Sequence, residues 1–118
     1  MSTKSEIVKI FEVAAREAGD LILKEFGKIS EAKIQSKDLG DFVTTTDLET
    51  ENILLKVLKK HFPNSSYITE ESDPLKGNDE TIVIDPIDGT TNFIHGIPAL
   101  GIVIGRIYKN EITDGIIY

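Results

Sequence analysis

Residues 82–93 read Ile-Val-Ile-Asp-Pro-Ile-Asp-Gly-Thr-Thr-Asn-Phe, and no other stretch limits the possible folds as much. The β-branched and aliphatic run from Thr81 to Ile84 reads as a buried strand. Asp85 and Asp88 follow at once. Pro86, between them, fixes φ and removes a backbone donor where the strand is expected to stop. A fold that accepts this segment must bury the run and still leave room for two charges at its end.

The rest of the chain supplies layers for such a strand. From Ser5 to Phe26, the residues Ile7, Ile10, Phe11, Ala14, Ala18, Leu21, Ile22 and Phe26 recur in three- and four-residue steps, one stripe of an amphipathic helix ending at Gly27. Residues 28–43 are polar and mixed, with a short extended piece expected around Lys33 to Gln35. Thr46-Asp47-Leu48-Glu49 has the form of a capping box, and Ile53, Leu54, Val57, Leu58 and Phe62 continue a second helical stripe until Pro63 stops it. After that the period shortens. Tyr67-Ile68 reads as a short strand, and Ala99–Tyr108 with Ile112–Tyr118 as an antiparallel pair around Tyr108-Lys109-Asn110-Glu111. Helices ahead of strands predict an α+β class, two long helices packed on an antiparallel sheet. The last strand is expected to run to Tyr118 with no turn signal behind it, as in a chain cut from a longer protein.

At 118 residues, with 40% hydrophobic and 28% charged, the chain suits one soluble globular domain, here residues 1–118. A net charge of −7 disfavours nucleic acid or an anionic membrane as the main partner, since both need a basic face, and suits a cation. There is no cysteine, which excludes disulfides and thiolate metal sites and fits a reducing compartment. The polar N-terminus lacks a secretory core and no apolar run reaches membrane-spanning length, so a cytoplasmic location is expected.

Asp41, Asp47, Glu70, Glu71, Asp73, Asp85 and Asp88 all lie outside the apolar stripes or at their ends. Glu70-Glu71 follow one strand and Asp85 follows another, so the carboxylates converge if those strands are neighbours. Two unit charges ~4 Å apart repel by about 4 kcal/mol at an effective dielectric near 20. A proton, a cationic side chain or a metal must offset that. An oxygen-only donor set suits a hard cation such as Mg²⁺. Gly89-Thr90-Thr91-Asn92 can open a short helix whose unpaired N–H groups face an anion. A cation at Asp85 and Asp88, with the Ile87 carbonyl facing the same way, beside N–H groups at Gly89 and Thr90 points to phosphoryl chemistry. Each piece alone also has a bland reading: Asp-Pro and Asp-Gly are ordinary turn dipeptides, Glu70-Glu71 an exposed loop pair, and Asp47 a helix first-turn acid.

Together, Asp41-Phe42-Val43-Thr44-Thr45-Thr46-Asp47, Tyr67-Ile68-Thr69-Glu70-Glu71-Ser72 and Ile84-Asp85-Pro86-Ile87-Asp88-Gly89-Thr90-Thr91-Asn92-Phe93 resemble the inositol monophosphatase family over essentially the whole chain. The resemblance implies the N-terminal half of a layered αβαβα sugar-phosphatase fold. It also implies a Mg²⁺-dependent, lithium-sensitive phosphomonoesterase that hydrolyses a small phosphorylated metabolite with a metal-activated water. In that reading Glu70, Asp85, Asp88 and the Ile87 carbonyl hold metal, with Glu71 behind them. Asp47, Thr90 and Glu70 are catalytic, and Asp88, Gly89 and Thr90 receive the phosphate. A homodimer is expected. Thr69 stands where the family usually has Gly, and a further metal aspartate belongs to a C-terminal half that these residues do not include. Turnover is therefore expected of a longer parent protein, and the alternative is a truncated, non-catalytic metal- or phosphate-binding module. Substrate choice among inositol phosphates, fructose 1,6-bisphosphate, histidinol phosphate, NADP and phosphoadenosine phosphates is not written in these residues.

Overall fold

A computed structural model of the chain describes residues 5–28, 34–38, 41–69 and 79–118, with 34–38 and 41–43 as backbone only. The elements are α1 (Glu6–Glu25), β1 (Ile34–Asp38), β2 (Asp41–Thr44), α2 (Thr45–His61), β3 (Ser66–Thr69), β4 (Glu80–Asp88), α3 (Thr90–Ile94), β5 (Gly101–Tyr108) and β6 (Glu111–Ile117). Helix α1 starts where the Ser5 hydroxyl accepts the Val8 amide at 3.1 Å, and it is left at Gly27 with φ of 78°. Its buried face is Phe11, Ala14, Ala15, Ala18, Gly19 and Ile22; Ala15 and Gly19 add to the expected stripe, while Ile7, Ile10, Leu21 and Phe26 stay half-buried at its margins.

Strands β3 to β6 form one sheet in that order, and β1 pairs with β2 in a separate antiparallel hairpin. Ile82, Ile84, Ile87, Ile102 and Ile104 join Phe11, Leu54 and Leu58 in a single apolar cluster, so α1 and α2 cover the same face of the sheet. The fold class is therefore the expected α+β. In detail the sheet is mixed: β4–β5 and β5–β6 are antiparallel, whereas β3 runs parallel to β4. A tight turn imposes an antiparallel neighbour, and β5 and β6 have one, with Lys109 and Asn110 both in the left-handed region at φ of 49° and 68°. Strands β3 and β4 are ten residues apart in sequence, so no tight turn imposes an antiparallel pairing on them.

Helix α2 also departs in one respect. Its cap is Thr44 with Asp47, two residues ahead of the expected Thr46–Glu49 box. Overlapping Thr-x-x-acid patterns make both readings possible in sequence, and the position of β2 decides between them: Thr44 is still extended at its end, whereas Thr46 is already inside the first turn of the helix. The buried face of α2 changes character along its length: Thr46, Asp47, Thr50 and Glu51 are followed by Leu54, Val57 and Leu58. The C-terminal half thus serves the core. Its N-terminal half presents buried polar groups, which are costly to bury unless satisfied.

Tyr67 closes the far end of the core, and its hydroxyl donates to the Phe62 carbonyl at 2.8 Å. Burial, and then the charge of Glu80, pushes its pKa from 10.0 up to about 12. Below the unfolded value both states keep the proton and the contribution is fully present. Above it the unfolded chain ionises first, so stability falls, on the order of 2 kcal/mol by the time the folded phenol titrates. Tyr67→Phe should flatten that alkaline loss in melts taken between about pH 9 and 11; an unchanged slope would show that Tyr67 is not its source.

Candidate functional site

The two aspartates of β4 owe their shared orientation to an irregularity. Asp85 lies opposite Val103 and Asp88 opposite Gly101, so β4 advances three residues while β5 advances two. One extra residue on one strand is a β-bulge, and it sits at Pro86-Ile87, where a missing N–H leaves no ladder bond to lose. Pro86 therefore does not stop the strand, as the sequence suggested; it lets the strand continue with its phase shifted. Ile82, Ile84 and Pro86 are buried in alternation, then Ile87 is buried as well and Asp88 is exposed. Without the shift, Asp88 would point into the core. With it, Asp85 and Asp88 both face away from the core, and Asp85 keeps one oxygen, Oδ1, shielded from solvent.

Past Asp88 the chain turns sharply. Gly89 has φ of 105° and ψ of 38°, and α3 begins at Thr90. A Cβ at Gly89 would lie 2.8 Å from the Ala99 carbonyl oxygen, so neither the dihedral nor the space admits a side chain. Phe93, fully buried and 6.2 Å from the Phe26 ring, ties the short helix into the core. A cleft of about 390 Å³ opens beside Asp88 and Gly89, lined also by Asn92, Ala99, Leu100, Gly101 and Ile117.

Turning the chain at Gly89 brings Thr90 against α2. The Thr90 hydroxyl donates to Asp47 Oδ1 at 2.8 Å, and the Ile87 carbonyl oxygen lies 3.2 Å from the same hydroxyl. One proton cannot serve both fully, and the shorter bond to a carboxylate is the stronger. The other Asp47 oxygen, Oδ2, accepts the Thr44 amide at 2.9 Å and the Thr44 hydroxyl as well. Asp47 is 0% exposed, and its charge is met by hydrogen bonds and by the N-terminal end of α2. Two segments 43 residues apart thus meet at one carboxylate.

Glu70 and Glu71 lie outside the described residues, as do Asp73 and the side chain of Asp41. Parallel pairing sets Thr69, the last residue of β3, opposite Ile84, whose successor is Asp85. Among the described residues no three His, Cys, Asp or Glu side chains gather closely enough to hold a metal. Those present still fit the implied Mg²⁺: β4 offers a carboxylate on each side of the bulge, both facing away from the core, and the Ile87 carbonyl between them, an oxygen-only set of the kind a hard cation takes. The residue that sequence reasoning missed is Thr44. Its Thr-x-x-Asp spacing was legible, but a second box two residues later competed with it.

The sequence profile of the inositol monophosphatase family matches residues 3–118. The chain belongs to that family. It is 38% identical over 107 residues to the Nus factor SuhB of Pasteurella multocida, covering 89% of this chain and 40% of that protein. To the inositol-1-monophosphatase of Mesorhizobium japonicum it is 32% identical over 117 residues, covering 98% of this chain and 44% of the relative. The crystal structure of the extragenic suppressor protein suhB from Bartonella henselae matches with a TM-score of 0.92 at 32% identity, over 97% of this chain and 45% of that one. The chain thus spans less than half the length of these relatives. The helices-on-mixed-sheet arrangement is the inositol monophosphatase fold of these neighbours. No helix among the described residues is long and apolar enough to cross a membrane.

Proposed function

We propose that the protein containing this chain hydrolyses a small phosphomonoester with Mg²⁺ as its cofactor, in the manner of an inositol monophosphatase. The observation that carries the proposal is the Thr90–Asp47 hydrogen bond of 2.8 Å, set next to Asp85 and Asp88 by the bulge and the Gly89 turn. Asp85, Asp88, the Ile87 carbonyl and Glu70 would hold the metal, with Glu71 behind them. When bound, the cation supplies a Lewis acid that acidifies water and offsets charge on the phosphoryl group. The work of the chain is orientation and proton movement. Thr90 Oγ1 accepts the proton of the attacking water while passing its own to Asp47, because a threonine hydroxyl is too weak a base to act alone. Asp88 and the amides of Gly89 and Thr90 face the phosphate. A homodimer, lithium sensitivity and a cytoplasmic location belong to the same proposal.

Two measurements test it. Mg²⁺ at 100 times its dissociation constant should stabilise the fold by about 2.7 kcal/mol, read as a rise in unfolding midpoint, and Asp85→Asn should remove the rise. A wild-type protein that shows no rise has no such site. A panel of phosphomonoesters assayed with the full reading frame should then yield inorganic phosphate. Mg²⁺ binding without any phosphate release would replace hydrolysis with the binding-module reading.

A further inference from the structure

The geometry points to Thr44 as a positioning residue for the Asp47–Thr90 pair, so that the cap of α2 and the proton-handling machinery are one hydrogen-bonded unit. This rests on the hydrolytic reading for its functional half, while its structural half stands on bonds alone.

Thr44 is the last residue of β2 and the cap of α2, with φ of −111° and ψ of 164°, and it is 1% exposed. In a capping box the acid at the third helical position usually reaches back with a long Glu or Gln side chain. Here the acid is Asp47, which is shorter. Its Oδ2 takes both donors of Thr44, amide and hydroxyl, while the Thr44 oxygen accepts the Asp47 amide at 3.1 Å. A carboxylate rotates about a broad, two-fold χ2 torsion. Two donors converging on Oδ2 remove that freedom and leave Oδ1 directed at Thr90 Oγ1. An ordinary cap would stabilise the helix and nothing else. This one also sets which way the acceptor of the Thr90 proton faces. The α1 cap offers the contrast: Ser5 accepts the Val8 amide and donates to Asp114, and touches neither Asp47 nor Thr90.

The test is a double-mutant cycle on unfolding midpoints. Thr44→Val deletes the hydroxyl and keeps the backbone donor, Thr90→Val deletes the hydroxyl at the other end, and the two are combined. If Thr44 orients Asp47 for Thr90, the double variant should lose less than the sum of the singles, by about 3 °C or more. Ser5→Ala combined with Thr90→Val should be additive. Additive or more-than-additive loss in the Thr44 cycle would overturn the inference, whatever the enzyme does. In the full reading frame, Thr44→Val should lower kcat about 10- to 100-fold with KM nearly unchanged, and Thr44→Ser should restore it. Ser5→Ala should destabilise to a similar degree and leave kcat alone; an equal fall in kcat for both would reduce Thr44 to a plain cap. Absence of phosphate release in the wild type would sink the hydrolytic reading, and the stability cycle would still decide the role of Thr44.

Discussion

Gly89→Ala is expected to lower the unfolding midpoint by about 12 °C or more. Two independent costs add. At φ of 105° and ψ of 38° an L residue leaves its allowed regions, at about 1–3 kcal/mol. The new Cβ would also stand 2.8 Å from the Ala99 carbonyl oxygen and 3.3 Å from Leu100 Cα, which are backbone atoms that cannot swing away, and such overpacking costs about 1–3 kcal/mol more. Gly96→Ala separates the two. Gly96 has a φ of 67° with nothing within 4 Å of its Cβ position, so it pays only the dihedral cost, about 1–2 kcal/mol. Circular dichroism melts of both variants would decide the matter. If they fall by the same amount, close approach to Ala99 contributes nothing.

Thr90→Val is the second, and its main effect is on turnover. Deleting the hydroxyl removes the side-chain donor to Asp47 Oδ1 and the route by which a proton would reach that carboxylate. General acid–base steps are worth about 10²–10⁴ in rate, and phosphate release should fall by that order at saturating substrate and Mg²⁺. Stability should fall as well, by about 1–3 kcal/mol, because a buried carboxylate oxygen loses its partner. The Mg²⁺-induced rise in midpoint should persist, since Thr90 is not among the proposed ligands. Thr90→Ser should recover most of the rate. A valine variant within about threefold of wild type would remove Thr90 from the proton path.

The parts of this protein that repeat locally could be read directly. Both helical stripes, the β5–β6 hairpin and the buried run ahead of Asp85 follow from spacing that any short window contains. The family could be read as well, since the acidic segments occur in order with the Asp85–Phe93 signature. Three features could not. The direction of β3 depends on where the chain returns after ten residues, which no local pattern encodes. The cap of α2 was ambiguous because Thr44 and Thr46 both stand three residues ahead of an acid, and the end of β2 at Thr44 selects the first. Pro86 carries a local rule, that strands end at proline, and register against β5 overrode it.

That last case shows where sequence stops and tertiary structure begins. The residues from Ile82 to Phe93 determined by themselves that a buried strand would end in two carboxylates, a glycine and a hydroxyl, because residue type and order set the chemistry available. Whether those groups could act together was decided by packing. A strand alternates faces every residue, so Asp85 and Asp88, an odd number apart, belong to opposite faces until a bulge against β5 shifts the phase. Thr90 and Asp47 meet only because Gly89 turns the chain where a side chain would strike Ala99.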